Sequence, residues 1–192
     1  KVINNSWGAK YLPGEMPTSM TASMVEYEEA NVSVIAALRR AQDRGAVIVF
    51  AAGNDGLPFP TAPATLPSID PSVASKGGWI VVASTTNRGV DPATGRIEMA
   101  RGGIDSQSGQ PYYTNYCGGA MLYCISAPGG LDVDTVPQGD MGMAGAQAST
   151  TTGYDRGNGT SYGAPVVTGA VALVAHKFPW MAAQKLGVTI LT

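Results

Sequence analysis

Apolar residues in this chain gather in short unbroken runs. Ala46-Val47-Ile48-Val49-Phe50-Ala51 and Trp79-Ile80-Val81-Val82-Ala83-Ser84 each fill a strand length without alternating. Such β-branched runs predict strands buried on both faces, as in a parallel sheet. Val2-Ile3-Asn4-Asn5-Ser6-Trp7-Gly8 reads as a shorter buried strand ending in a turn. Tyr123-Cys124-Ile125-Ser126-Ala127 reads as another, stopped by Pro128-Gly129-Gly130. From Ala22 to Arg44 the period changes. Val34, Leu38 and Ala41 share one face, Arg39, Arg40 and Asp43 fall mostly on the other, and Gly45 is a stop signal. Strand, helix and strand in that order make a βαβ unit.

The polar stretches read as connections. Residues 54–75, rich in Pro, Ser, Thr and Ala, predict a surface loop. Residues 86–115 are polar and glycine-rich, with room for a hairpin. Residues 131–158 predict a loop with an edge strand around Val133-Thr135-Val136. A helix is expected from Ser161 to Lys177. No repeat or linker divides the chain, so one α/β domain is expected from its 192 residues.

Composition narrows the partners. Hydrophobic residues make up 44% and charged residues only 14%, against a usual charged share of about 25%. That is a compact, buried chain. With a net charge of −2 and no basic run, nucleic acid is not an expected partner. No apolar run reaches the ~18 residues of a membrane span, and no signal peptide is seen. Lys1 leads directly into the first strand, so it is expected to be an internal point of a longer chain. Cys117 and Cys124, separated by six residues that include Gly118-Gly119, leave two readings. One is a short disulfide loop, which suits an oxidising compartment, and the other is two free thiols. The three glycosylation-type triplets at Asn4, Asn31 and Asn158 are taken as chance.

Two polar residues stand where chemistry is expected. Ser161 lies at or near the start of the helix expected up to Lys177, where its N–H is unpaired and the helix dipole favours an anion. An oxyanion on an attacked carbonyl would be stabilised there. The plainer reading is that Thr160 or Ser161 caps the helix. Asn54 follows the strand ending at Ala51, at the carboxyl edge where open α/β sheets bind ligands. It is placed either to donate to the same oxyanion or to turn the chain. Gly159-Thr160-Ser161-Tyr162-Gly163 also fits a nucleophile elbow, but that motif needs a strand just before the serine, and a loop is expected there. A serine nucleophile needs a base. The only histidine is His176, roughly 22 Å along the helix from Ser161 at 1.5 Å per residue, and expected to be partly exposed.

Together, Val2–Gly8, Val49-Phe50-Ala51-Ala52-Gly53-Asn54 and Gly159-Thr160-Ser161-Tyr162-Gly163-Ala164-Pro165 resemble the subtilisin-like serine proteases, the subtilases. The motifs stand in that family's order. Gly163 departs from the alanine usual there. The resemblance implies a subtilisin-like three-layer α/β/α fold with a mostly parallel sheet. It also implies that residues 1–192 are the C-terminal portion of one catalytic domain, with the N-terminal strands missing. Ser161 would be the nucleophile and Asn54 the oxyanion donor. Ser6-Trp7-Gly8 and Ala51-Ala52-Gly53 would pair with the substrate backbone and wall its primary side-chain pocket.

The cysteine segment and Phe178-Pro179-Trp180-Met181 further resemble subtilases carried as passengers of bacterial autotransporters, which implies a secreted or cell-surface protein. The family's aspartate and histidine motifs precede the oxyanion strand, and nothing here matches them. The resemblance therefore implies a chain inactive alone, a companion N-terminal segment carrying Asp and His, and a protein or peptide substrate. No cofactor is expected; Asp55, Asp132, Asp134, Asp140 and Asp155 are loop carboxylates of which some could bind calcium, though no spacing argues for it. Two alternatives stand beside this reading. One is a non-catalytic, peptide-binding relic of a protease. The other is an α/β-hydrolase esterase, with a strand just before Ser161 and a histidine beyond Thr192.

Overall fold

The computed structural model describes residues 1–9, 11, 16–90, 93–104, 111–130, 143–146 and 152–192. Its elements run β1 (Val2–Asn5), α1 (Met20–Ala30), α2 (Val32–Asp43), β2 (Val47–Ala51), α3 (Pro71–Lys76), β3 (Trp79–Val90), β4 (Ile97–Met99), β5 (Arg101–Ile104), β6 (Pro111–Tyr113), β7 (Cys124–Gly130), β8 (Met143–Ala146), β9 (Tyr154–Gly157), α4 (Thr160–Lys177) and α5 (Ala183–Leu191).

The unbroken apolar runs form the parallel sheet. β1 pairs β2, β2 pairs β3 and β3 pairs β7, all parallel, with Ile48 opposite Trp79 and Val81 opposite Cys124. β4 joins β3 antiparallel. Every residue of β2 is buried, because both faces of the strand are covered. Successive side chains point to opposite faces. Ile48, Phe50, Trp79 and Val81 pack with Met24, Ile35, Leu38 and Val73 from α1, α2 and α3. Val47, Val49, Ile80 and Val82 pack with Ala164, Val167, Val171 and Leu186 from α4 and α5. The result is three layers, helix on sheet on helix. The Phe50 ring stacks on Trp79 at 5.4 Å and meets Trp7 edge-on at 5.3 Å.

Three expectations need correction. The helix expected over 22–44 is two helices, because Asn31 leaves helical geometry and its carboxamide donates to Tyr27 O at 3.0 Å. A short polar side chain bonding nearby backbone competes with the helix in this way. Residues 54–75 are not a surface loop. Leu57, Phe59, Ala62, Ala64 and Leu66 are buried, and Trp79 Nε1 donates to Ala64 O at 2.8 Å. The segment is a lid on the core despite its loop-like composition, and it ends in α3. The stretch before Ser161 is not all loop, since β9 pairs antiparallel with β8. That pair stands apart from the main sheet, so it is not the parallel strand of a nucleophile elbow. The antiparallel pair β5–β6 supplies a strand pair within 86–115. The edge strand expected at Val133-Thr135-Val136 falls outside the described residues.

Candidate active site

α4 begins where the tip of β7 meets the chain. Gly159 N–H donates to Gly129 O at 2.6 Å, and Gly159 has φ +123°, a conformation that side chains rarely adopt. A Cβ there would also come within 3.0 Å of Asn54 Nδ2. Two residues later Ser161 enters the first turn, half-buried; Pro165, expected in the first turn, instead lies inside α4, and because it has no N–H to give Ser161 O, that carbonyl accepts from Ser6 Oγ at 2.9 Å.

Neither Thr160 nor Ser161 caps this helix; the residue at the cap position is Gly159, with no side-chain bond. The cap comes from the oxyanion-strand side. Asn54 Oδ1 accepts from Thr160 N–H at 2.9 Å and from Thr160 Oγ1 at 3.1 Å. Thr160, fully buried, also accepts from Gly53 N–H at 3.0 Å. The carboxamide is thereby oriented, with Oδ1 spent on α4 and Nδ2 bonded to no described group. Tyr162 N–H donates to Gly159 O at 2.9 Å. Ser161 N–H, between the two occupied donors, has no partner among the described residues.

Ser161 Oγ donates to Ser6 O at 3.2 Å, and Ser6 Oγ donates to Ser161 O at 2.9 Å. This reciprocal pair staples the end of β1 to the start of α4. Asn4 adds to it, donating to Ser6 Oγ at 2.9 Å and accepting from Thr168 Oγ1 at 3.1 Å. A backbone carbonyl is far too weak a base to take the hydroxyl proton. His176 is exposed in the last turn of α4, a helix length from Ser161.

The two expected substrate segments differ. The Trp7 and Gly8 backbone is bonded to no described group, and the Trp7 side chain is 44% exposed. The backbone of Ala52 and Gly53 is fully used. Ala52 N–H donates to Val82 O, and Ala52 O accepts from Thr61 N–H and Asn115 Nδ2. Gly53 N–H is held by Thr160, and Gly53 O accepts from Asn115 N–H at 2.9 Å. Of the roles expected for Ala51-Ala52-Gly53, backbone pairing meets groups already bonded within the fold at Ala52 and Gly53, although Gly53 O keeps a second lone pair, and walling is the other role. Behind this wall sits buried Thr61. A Cβ on Gly8 would lie 2.5 Å from Thr61 Oγ1.

Cys117 and Cys124 are joined in a disulfide, Cα to Cα 5.8 Å. It closes a loop just after Asn115, whose side chain reaches under the Asn54 turn. Among the described residues no cluster of three His, Cys, Asp or Glu side chains gathers to hold a metal. Asp132, Asp134 and Asp140 lie outside the described residues, as does the Asp155 side chain. Thr160, Asn115 and Thr61 were not singled out in the sequence as parts of a site. Thr160 borders the serine motif and had a local signal, whereas Asn115 and Thr61 touch Gly53 only through the fold.

A family model described as the subtilase family matches residues 1–192. The chain is 28% identical to the extracellular serine protease of Serratia marcescens, over 100% of this chain and 20% of that protein. It is 29% identical to the autotransporter lipoprotein NalP of Neisseria meningitidis serogroup B, over 79% of this chain and 12% of that protein. It therefore spans about a fifth or less of these relatives' length. A solved structure described as proteases from Pseudoalteromonas arctica superposes with TM-score 0.59 at 23% identity, over 97% of this chain and 42% of that one. The three-layer fold with its parallel sheet is thus subtilisin-like, and the chain belongs to the subtilase family of serine proteases.

Proposed function

We propose that this chain carries the nucleophile and oxyanion half of an exported serine endopeptidase. Ser161 Oγ attacks the peptide carbonyl. The oxyanion is received by Asn54 Nδ2 and Ser161 N–H, two donors left unspent when Thr160 and Gly159 occupy their neighbours. The observation that carries the reading is the pair of hydrogen bonds that Thr160 N–H and Oγ1 donate to Asn54 Oδ1, because they leave the carboxamide's donor end free and already oriented before the reaction. Trp7 and Gly8 offer unpaired backbone for an extended peptide to add as a strand.

The base is supplied from elsewhere. A companion segment carrying Asp and His completes the triad, docking on the free edge of β1 and the outer face of α4. Leu173, 72% exposed, and Val166 support that docking face, since they stand seven residues apart on one side of α4 and so share an apolar stripe. Export to the medium or cell surface is supported by the names of the relatives and suits the disulfide. The test is to refold this chain with that segment and measure peptide hydrolysis. Activity only in the mixture, lost in Ser161→Ala, supports the reading. A folded, stoichiometric mixture that binds peptide and never cleaves it favours the peptide-binding relic instead.

A further inference from the structure

The turn that carries Asn54 is permitted by its own glycines, Gly53 and Gly56, both at positive φ, but it is held from outside. Gly53, Asp55, Gly56 and Leu57 lie beyond the last residue of β2 and before the buried lid. Four hydrogen bonds from a single residue 60 positions away fix this turn. Asn115 Oδ1 accepts from Asp55 N–H at 3.0 Å and from Leu57 N–H at 2.9 Å. Asn115 Nδ2 donates to Ala52 O at 3.0 Å, and Asn115 N–H donates to Gly53 O at 2.9 Å. The partners bracket Asn54 on both sides. Both lone pairs of the carboxamide oxygen are used, which leaves it one orientation.

Asn115 is itself anchored. It is 0% exposed, so each of its bonds is made out of water, where leaving the partner groups unmet is costly. The preceding Thr114 Oγ1 accepts from Ser84 N–H of β3 at 2.8 Å. Two residues on, Cys117 is tied to the first residue of β7 through the disulfide. A Cβ on Gly53 would approach Asn115 Nδ2 to 2.5 Å, so the two residues are packed with no slack. The chain thus holds the turn from a rigid platform on the sheet, on the side away from Thr160.

We infer that Asn115 is a positioning residue for the oxyanion donor, holding residues 52–57 so that Asn54 Nδ2 is presented beside Ser161. This rests on the role proposed above for Asn54. Asn115 touches neither the substrate nor the reacting atoms and acts through Asn54 alone. Preorganised donors act because they need not move as charge develops, so a loosened turn costs turnover more than binding.

The test is a double-mutant cycle in the enzyme completed with its Asp- and His-bearing segment, with active sites titrated so that only folded enzyme is counted. Asn115→Ala is expected to lower kcat by about tenfold or more, with KM within about threefold, part of the ~10²–10³ that an oxyanion donor supplies. In an Asn54→Ala background the same change is expected to add nearly nothing. Should Asn115→Ala fold poorly, Asn115→Asp keeps the acceptor for Asp55 and Leu57 and is expected to fall between. Amide exchange at Leu57 is expected to quicken in Asn115→Ala, while exchange in α2 stays as it was. An unchanged kcat, or losses that multiply across the cycle, overturns the inference while leaving Asn54's role intact. If Asn54→Ala itself leaves kcat unchanged, the oxyanion reading fails and this inference with it.

Discussion

On the face covered by α1, α2 and α3, Ile48, Phe50 and Trp79 are sealed beneath Met24, Ile35 and Val73, and Arg39 ties the helices together. It reaches Glu28 of α1 at 2.6 Å and Asp70 at the start of α3 at 2.7 Å. On the other face α4 seals Val49 and Val82 with Val167 and Val171, yet turns Val166 and Leu173 outward beside a β1 whose second edge is unpaired among the described residues. The first face is a finished interior. The second is an interior on one side of α4 and a surface on the other. Ser161 lies at the start of α4 beside β1, and on the proposed reading the base would have to arrive on this less finished face. On the proposed reading the oxyanion donors, Asn54 Nδ2 and Ser161 N–H, stand ready where the turn after β2 meets the start of α4, while the Ser161 hydroxyl rests on Ser6 O.

The contrast can be broken most sharply by Phe50→Ala. A large buried ring removed from the closed face is expected to cost about 3–5 kcal/mol, read by denaturant unfolding with or without the companion segment. Asn54→Ala is next. It should cost about 1–2 kcal/mol, because Thr160 N–H loses the acceptor that caps α4, and lower kcat of the completed enzyme by about 10²–10³-fold, the loss known for subtilisin's own oxyanion asparagine. Leu173→Asp probes the open face. On this chain alone it should shift stability within about 0.5 kcal/mol. In the completed enzyme it buries a charge, and the affinity for the companion segment should fall by an order of magnitude or more in a titration. An equal effect in both settings would mean the face is not an interface.

The ion network gives a smaller, pH-dependent effect. Burial alone would raise the Asp70 carboxyl. Hydrogen bonds from the Ser72 hydroxyl, Arg39 and the N–H groups of Val73 and Ser72 outweigh it and hold the group down at about 2 against an ordinary 3.8. Ionised Asp70 is therefore favoured by folding, and its contribution is complete above 3.8 and fades as pH falls towards about 2. Asp70→Asn should flatten the stability profile across that window and leave its neutral arm in shape. Smallest is Gly163→Ala, which restores the residue usual in the family. The added methyl would meet Val82 Cγ1 at 3.3 Å and Ala127 O at 3.4 Å, so a loss under about 1.5 kcal/mol is expected in thermal unfolding.

Much of the frame was legible in the sequence because burial on both faces leaves an unmistakable mark. Val47–Ala51 and Trp79–Ser84 announce parallel strands by their lack of alternation, and Gly159 through Pro165 marks the start of α4. The lid over the core was not legible. Pro, Thr and Ala dominate residues 58–65, and nothing local says that Phe59, Ala62 and Ala64 face inward rather than out. The break at Asn31 was hidden for a similar reason, since an asparagine in a helical pattern gives no sign of which backbone oxygen it will choose. At the site, Asn54 and Ser161 were readable from their places after a strand and before a helix. The bonds that orient them were not. Thr160 meets Asn54 across 106 residues and Asn115 meets Leu57 across 58, and only the folded sheet brings either pair together.

The central claim is that a second segment brings the missing base to Ser161. The direct measurement is peptide hydrolysis by this chain refolded with an Asp- and His-bearing segment, beside each part alone and beside Ser161→Ala. Hydrolysis confined to the mixture and abolished by Ser161→Ala is the result expected. A folded stoichiometric complex without hydrolysis, or hydrolysis by this chain alone that survives Ser161→Ala, would contradict it.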